Sequence, residues 1–434
     1  MVDKVDTALV KAWGSLVGAV AWDGARQLAT FEFDPDWLDA GLDLAPLKMP
    51  WAAARRSQVR FSFPGLSFET YRGLPGLLAD ALPDQFGNSI INAWLARLGR
   101  TAESFSPVER LCYTGRRAMG ALEFEPAVVG ALDQSVPVDV GELVVLARTM
   151  MDSRAELQAN LITDPADALL DIIRVGTSAG GGRPKAVIAV NDATGEVRSG
   201  QVEAPPGFRH WILKFDGVRD SQLGEPAGYG RIEYAYHLMA TACGIEMTPC
   251  RLLEESDRAH FMTRRFDRPD GRQKLHLQSL CAVAHFDFNA PGSYSYEQAF
   301  QVMRELRLTY PEAEQQFRRT VFNIVARNQD DHTKNIAFLM DSDGQWQLSP
   351  AFDVTYAYNP AGDWTSRQQM TLAGKREGFT REDLLAVGRE VGIKKSADIL
   401  AEVTGAVGRW QEFAEAAGVP GDRAAAIGRT HRIL

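Results

Sequence analysis

Cysteine is scarce in this sequence: Cys112, Cys243, Cys250 and Cys281 are the four among 434 residues. No two stand in CxxC spacing, so neither a disulfide scaffold nor a zinc-ligand pattern is available. The expected state is buried thiols in a reducing cytoplasm. Long apolar runs are missing too, and none approaches the roughly 18–20 residues that a membrane span needs. The opening MVDKVDTALVKAW holds acidic residues and no apolar core of the secretory kind, so no signal peptide is expected. Positive charge is in deficit, with 47 Lys+Arg against 56 Asp+Glu and a net charge of -9. A chain so balanced is a poor candidate for gripping nucleic acid alone over a wide face. Fixed-period repeats and low-complexity segments are also absent.

What is there is ordinary globular material, 45% hydrophobic and 24% charged. At roughly 100–200 residues per domain the length suits two or three domains. Residues 8–33 alternate in the manner of strands, with Asp23-Gly24 as a turn, and predict a small antiparallel sheet. After Pro/Gly turns, Ile90, Ile91, Trp94, Leu95 and Leu98 fall on one helical face and predict core. Residues 117–128 read as a strand completing the first domain, and 137–175 read as helical. A Gly-rich loop then runs into the strand KAVIAV. HWILKFD follows as a strand, RIEYAYHLMATACGI as a helix capped near Gly244, and RLLEE and HFMTRRFDR as two more strands. Beyond about residue 275 the expectation is mostly helix, interrupted by a short strand pair near 336–348 with Asp343-Gly344 at its turn.

Four features carry chemistry. The first is Asn328-Gln329-Asp330-Asp331-His332-Thr333-Lys334-Asn335, a polar stretch between apolar VFNIVA and IAFLM. A solvated loop or a His/Asp metal site would account for it. So would a kinase catalytic loop, because Asp330 and Asn335 keep the Asp-x-x-x-x-Asn spacing in which the Asp meets the attacking hydroxyl and the Asn oxygen holds magnesium. Asp331 is four from the Asn, so the register favours Asp330. The second is Asp353, within Leu348-Ser349-Pro350-Ala351-Phe352-Asp353-Val354, which sits where a kinase places its metal-binding Asp. Asn335 and Asp353 together supply the hard oxygens that magnesium takes. The third is Lys214 inside the apolar strand Trp211–Phe215, where a lysine needs an anion. ATP phosphates or Glu233 on the next helix would serve, and an edge strand facing water is the plain alternative. The fourth is Thr177-Ser178-Ala179-Gly180-Gly181-Gly182-Arg183-Pro184-Lys185. Bare amides and two cations make a phosphate cradle there, or a flexible turn. The order of all four is that of a kinase.

TSAGGGRPKA, WILKF, TRRFDR, DDHTKN and PAFDV, in that order, resemble the HipA family of bacterial serine/threonine kinases, the toxin half of type II toxin–antitoxin modules. LLADALPDQFGNSII is similar to that family's LPD-x-x-G segment. The resemblance spans about residues 10–380. It implies an α+β, protein-kinase-like two-lobed fold with an N-terminal β-rich subdomain over 1–130, a nucleotide-binding part over 131–275 and a mostly helical C-terminal lobe over 276–434. It implies ATP and Mg²⁺ as cofactors and Asp330 as the catalytic residue, with Asn335 and Asp353 on the metal. Lys214 would contact the phosphates, Gly180, Gly181, Gly182, Arg183 and Lys185 would cover them, and Arg264, Arg265 and Phe266 would form the adenine hinge. His332, Lys334 and Phe352 would lie along the nucleotide, and Ser178 matches an autophosphorylated loop serine. Two positions depart from the family pattern: Asp331 replaces a Gly before the His, and Arg264 replaces a Glu in the hinge. The implied partners are a protein substrate, an aminoacyl-tRNA synthetase being one kind of target, and a HipB-like helix-turn-helix antitoxin through which operator DNA would be contacted. The implied location is the cytoplasm, with no membrane. The competing readings are a small-molecule phosphotransferase of kinase-like fold and a non-catalytic co-repressor of a DNA-binding antitoxin.

Overall fold

The fold comes from a computed structural model that describes residues 4–57, 59–97, 99–127, 134–144, 176, 184–217, 228–255, 258–271 and 273–434. The expectations for Ser178, Gly180, Gly181, Gly182 and Arg183, and for most of the helical stretch 137–175, lie outside the described residues. The chain divides into two compact units. The first is Met1–Ala227, Met262–Gln278 and Met340–Gln345, and the second is Gly228–Phe261, Ser279–Leu339 and Trp346–Leu434.

In the first unit, β1 (Thr7–Ala12), β2 (Ser15–Asp23), β3 (Leu28–Phe33) and β4 (Leu122–Glu125) form one sheet in the order β3-β2-β1-β4. Ala8, Val10 and Ala12 are fully buried, so one face of β1 makes the core, as its alternation predicts. The β2–β3 turn closes on Asp23, whose Oδ1 accepts from the N–H groups of Ala25 and Arg26 at 3.0 and 3.1 Å. Helix Gln85–Arg97 buries Ile90, Ile91 and Leu95. The Leu82-Pro83-Asp84 segment has a structural task here. Asp84 Oδ1 accepts from Gly87 N at 2.6 Å, capping that helix.

The other sheet of this unit is built on β5 (Lys185–Asn191), with β6 (Val197–Ser199) and β7 (Phe208–Lys214) antiparallel on either side. Beyond β7, Arg265 N donates to His210 O at 2.9 Å. A buried ion cluster lies nearby. Asp267 accepts from Arg265 Nε and Nη2 at 2.9 and 2.7 Å, from Arg268 Nη1 at 2.9 Å and from Gly120 N at 2.7 Å. The two guanidinium groups hold the Asp267 carboxyl well below the usual carboxylate range, against the opposing effect of burial.

The second unit includes β8 (Cys250–Glu255), most of β9 (Arg258–Arg264) and helices Tyr229–Ala242, Tyr310–Val325, Arg381–Glu390, Ser396–Gly408, Trp410–Ala416 and Gly421–Gly428. Helix Tyr310–Val325 opens with a capping box between Thr309 and Glu312 and buries Phe317, Val321, Phe322, Ile324 and Val325. Gly388 is required where three helices meet, since a Cβ there would lie 2.5 Å from Ser396 Cβ and 3.0 Å from Phe317 Cζ.

Two expectations are corrected. A strand, β10 (His276–Ser279), precedes the pair β11 (Ala337–Met340) and β12 (Trp346–Leu348). Residues 349–380 hold no helix. Pro350, Pro360 and three glycines break that segment, and side-chain amides satisfy part of its backbone, Gln329 Nε2 donating to Thr365 O and Gln369 Nε2 to Trp364 O. All four cysteines are free thiols; Cys250 is half-buried and the others are buried. Among the described residues no helix is long and apolar enough to cross a membrane.

Candidate active site

The polar stretch is a loop launched from helix Tyr310–Val325. Arg327 turns the chain at φ 58°, and its Nε donates to Thr430 O at 2.7 Å. Gln329 N donates to Ala357 O and Ala357 N to Arg327 O, at 3.0 and 3.1 Å, so residues 327–329 pair with the segment after Asp353.

Asp330 keeps 38% of its side chain exposed. Its Oδ1 accepts from the indole Nε1 of Trp364 at 2.6 Å, and His332 Nε2 stands 3.8 Å from the same oxygen. The five-residue spacing to Asn335 has a physical reason. The one-turn helix Thr333–Asn335 folds back, and Asn335 Nδ2 donates to Asp330 O at 2.7 Å. The amide nitrogen is committed, so Oδ1 is the atom Asn335 presents. His332 packs edge-on to Phe288 at 5.4 Å and to Trp364 at 6.2 Å, while Lys334 Nζ lies 4.4 Å from the centre of the Phe288 ring.

Asp331 points the other way. It is 3% exposed. Its Oδ1 accepts from Gln369 N at 2.6 Å, and its Oδ2 from Tyr296 Oη at 2.6 Å and Gln368 Nε2 at 3.1 Å. Burial pushes its carboxyl above the ordinary range, partly offset by those three bonds. The departure from the family Gly is thus a buried anchor that ties the loop to residues 368–369.

The approach to Asp353 is fixed from below. Leu348 N donates to Glu312 Oε1 at 2.7 Å, buried Arg319 Nη2 donates to Ser349 O at 2.7 Å, and Ala351 N donates to Glu246 O at 2.8 Å. Asp353 itself has φ 51°, a left-handed conformation uncommon for a residue with a Cβ and concentrated at functional sites. Phe352 is half-buried beside it.

Residues near the chain's end clasp the same loop. Arg432 Nη1 donates to Ile324 O at 2.9 Å and to Gln368 Oε1 at 3.2 Å, and its Nη2 donates to Gln329 Oε1 at 3.2 Å. Tyr236 Oη donates to Ala326 O at 2.5 Å and lies 3.0 Å from His431 Nε2.

In the first unit, Lys185 and Lys214 are direct cross-strand partners in the β5–β7 pairing, and Lys185 is 3% exposed. Partners in register project from the same face, with Cβ atoms about 4.5–5.5 Å apart, and like charges so placed repel. Lys185 is buried and Lys214 half-buried. On the same face of β7, beyond Ile212, His210 sits opposite Ala189, with Nδ1 2.8 Å from Gly200 O. Burial and Arg265 hold its imidazole down to about 4.

Arg264, Arg265 and Phe266, the expected hinge, lie in the first unit. The Arg265 guanidinium is spent on Asp267, and Arg264 Nη2 donates to Pro269 O at 2.6 Å. Phe266 is half-buried. Glu233 is buried. Among the described residues no group of three or more His, Cys, Asp or Glu gathers as a metal cluster.

A family model described as the HipA-like C-terminal domain matches residues 177–428, and one described as the HipA N-terminal domain matches residues 8–125. The chain belongs to the HipA family. No curated protein matches it. Among solved structures it is similar to HipA of Shewanella oneidensis MR-1, seen in a complex of that toxin–antitoxin system's HipA and HipB with operator DNA. The identity is 16% and the TM-score 0.67, over 97% of this chain and 94% of that one. That likeness shows a HipA-type fold. A second similar structure is the proinflammatory kinase CtkA of Helicobacter pylori, at 12% identity and TM-score 0.33, over 50% of this chain and 92% of that one.

Sequence reasoning missed Trp364, Tyr296, Gln368, Gln369 and Arg432, which hold the HipA-family loop in place. The adjacent glutamines were the available signal, because Gln368 and Gln369 are 0% and 3% exposed and buried amides need partners.

Proposed function

We propose that this HipA-family chain is a Mg-ATP-dependent serine/threonine protein kinase that phosphorylates a cellular protein and arrests growth. The observation that carries the reading is the loop in which Asn335 is tied to the backbone of a partly exposed Asp330. In this reading the substrate hydroxyl donates to the Asp330 carboxylate. The hydroxyl oxygen attacks the γ-phosphorus, the bond to the β–γ bridging oxygen breaks, ADP leaves and the proton passes to Asp330. Asn335 Oδ1 and the Asp353 carboxylate would be the hard oxygens that hold magnesium, an ion that prefers oxygen ligands. Magnesium supplies charge compensation on the phosphates. In the first unit, Lys185, Lys214, Gly180, Gly181, Gly182 and Arg183 are the residues proposed to contact ATP phosphates. Phe266 and the main chain at Arg264 and Arg265 meet the adenine, with His332, Lys334 and Phe352 along the nucleotide. The boundaries 1–130, 131–275 and 276–434 belong to the same proposal. So do a cytoplasmic location and a HipB-like helix-turn-helix antitoxin that carries the operator contact.

The test is transfer of labelled phosphate from ATP to lysate proteins, with small alcohols as competing acceptors. Asp330→Asn should lower transfer by several orders of magnitude, since positioning and electrostatics supply nearly all of this catalysis. Asp353→Asn is the better metal-site variant, because Asn tolerates the left-handed backbone at 353 where Ala would be strained. Near-normal turnover in either variant, or labelling of the alcohols alone, refutes the reading.

A further inference from the structure

The two oxygens of Asp330 are not equivalent. Oδ1 accepts the Trp364 indole N–H at 2.6 Å and faces His332 Nε2 at 3.8 Å. No hydrogen bond from the described residues reaches Oδ2. The indole is itself held in place. Gln369 Nε2 donates to Trp364 O, and Gln329 Nε2 donates to the next carbonyl, Thr365 O, at 3.1 Å. His332 packs against the ring with its plane at 61°. Both glutamines are buried, and Gln329 is the residue before Asp330. Trp364 is therefore tied to the loop whose carboxylate it touches, although 34 residues separate the two.

We infer that Trp364 is a positioning residue for phosphoryl transfer: its N–H pins Oδ1 and so fixes the Asp330 carboxylate with Oδ2 turned to the acceptor hydroxyl. This rests on the kinase reading above. A carboxylate on a half-exposed side chain otherwise rotates about χ2, whose wells are broad. A hydrogen bond to a charged acceptor is among the stronger ones a side chain makes. Pinning one oxygen turns a rotor into a fixed acceptor, and misplacement of a reacting group by about 1 Å can cost about 100-fold. The indole N–H acts on Asp330, the group at the acceptor hydroxyl, so the effect belongs in kcat and not in ATP affinity.

The experiment uses the full chain with Mg-ATP and dephosphorylated casein as acceptor. It compares wild type, Asp330→Ala, Trp364→Phe, and a chain with 3-benzothienylalanine at position 364, which keeps the bicyclic shape and lacks the N–H. The expected result is an inactive Asp330→Ala. Both position-364 variants should lose about 10- to 100-fold in kcat, with the KM for ATP within about twofold of wild type and unchanged melting of the benzothienyl form. Wild-type kcat in the benzothienyl form overturns the inference and leaves the kinase reading standing. So does a loss confined to KM for ATP. A rise in kcat would mark the contact as a block on the acceptor site and overturn it equally. No transfer by wild type, or full transfer by Asp330→Ala, overturns the kinase reading itself and the inference with it.

Discussion

Asp331→Ala tests the anchoring of the loop directly. The substitution removes the acceptor of three hydrogen bonds, from Gln369 N, Tyr296 Oη and Gln368 Nε2. Gln368 Nε2 retains Asn328 O at 3.2 Å, so the backbone N–H of Gln369 and the hydroxyl of Tyr296 are the donors left stranded in the core. Each stranded donor costs about 1–3 kcal/mol. Relief of the buried carboxylate's own desolvation offsets part of this, and about 2–4 kcal/mol remains. The folded carboxyl takes its proton at a higher pH than its ordinary value of 3.8. The ionised group therefore opposes folding above its folded pKa and ceases to do so below about 3.8, so acid should not be what releases this anchor. The assay is amide hydrogen exchange on peptides over 327–336 and 364–372, with kcat measured alongside. A loss of 2–4 kcal/mol speeds exchange there by about thirty- to several-hundred-fold, while peptides from β1–β4 stay as in wild type. Unchanged exchange over both segments would refute the account of Asp331 as the tie between them.

The cross-strand lysines give a second expectation. Lys214→Ala and Lys185→Ala should each weaken ATP binding by more than tenfold in calorimetry, a tenfold change being about 1.4 kcal/mol, and unchanged affinity in both would remove the proposed phosphate contacts. His210 supplies a pH test. Its folded imidazole is held to about 4 against an ordinary 6.5, so the stability that comes from keeping it neutral is present above about 6.5 and lost as pH falls toward about 4. His210→Gln should then gain on wild type by about 3 kcal/mol across that window in urea melts, and a difference independent of pH would count against it. Ser178 is expected to acquire phosphate when the protein is incubated with Mg-ATP. The added charge of about -1.5 to -2 would repel nucleotide phosphates, so mass spectrometry should find the modification and calorimetry a weakened ATP affinity in the modified form.

Much of this was legible in the order of residues because the relevant physics is local. Strand alternation in Thr7–Phe33 and the helical face of Ile90, Ile91 and Leu95 depend on neighbours two to four positions away. The fold of Asn335 back onto Asp330 needs only five residues. What was not legible is long-range. Asp331 is bonded to residues 35, 37 and 38 positions off, and nothing in DDHTKN distinguishes the exposed Asp330 from the buried Asp331 except register. The resemblance assigned Arg264, Arg265 and Phe266 to a nucleotide hinge, and nothing in that motif told that Asp267, two residues beyond Arg265, takes its guanidinium. Residues 349–380 defeat periodicity altogether. They are shaped by side-chain amides whose partners lie up to 45 positions away.

The clasp by Thr430 and Arg432 has a consequence during synthesis. Arg327 and Gln329 are bonded to residues 103 positions later, and Ile324 to one 108 positions later. A ribosome therefore makes the aspartate loop long before it makes the residues that hold it. Non-local closures of this kind form late, after the intervening chain has collapsed around them. A nascent chain with every loop residue already polymerised would still lack a set loop until residue 432 had emerged.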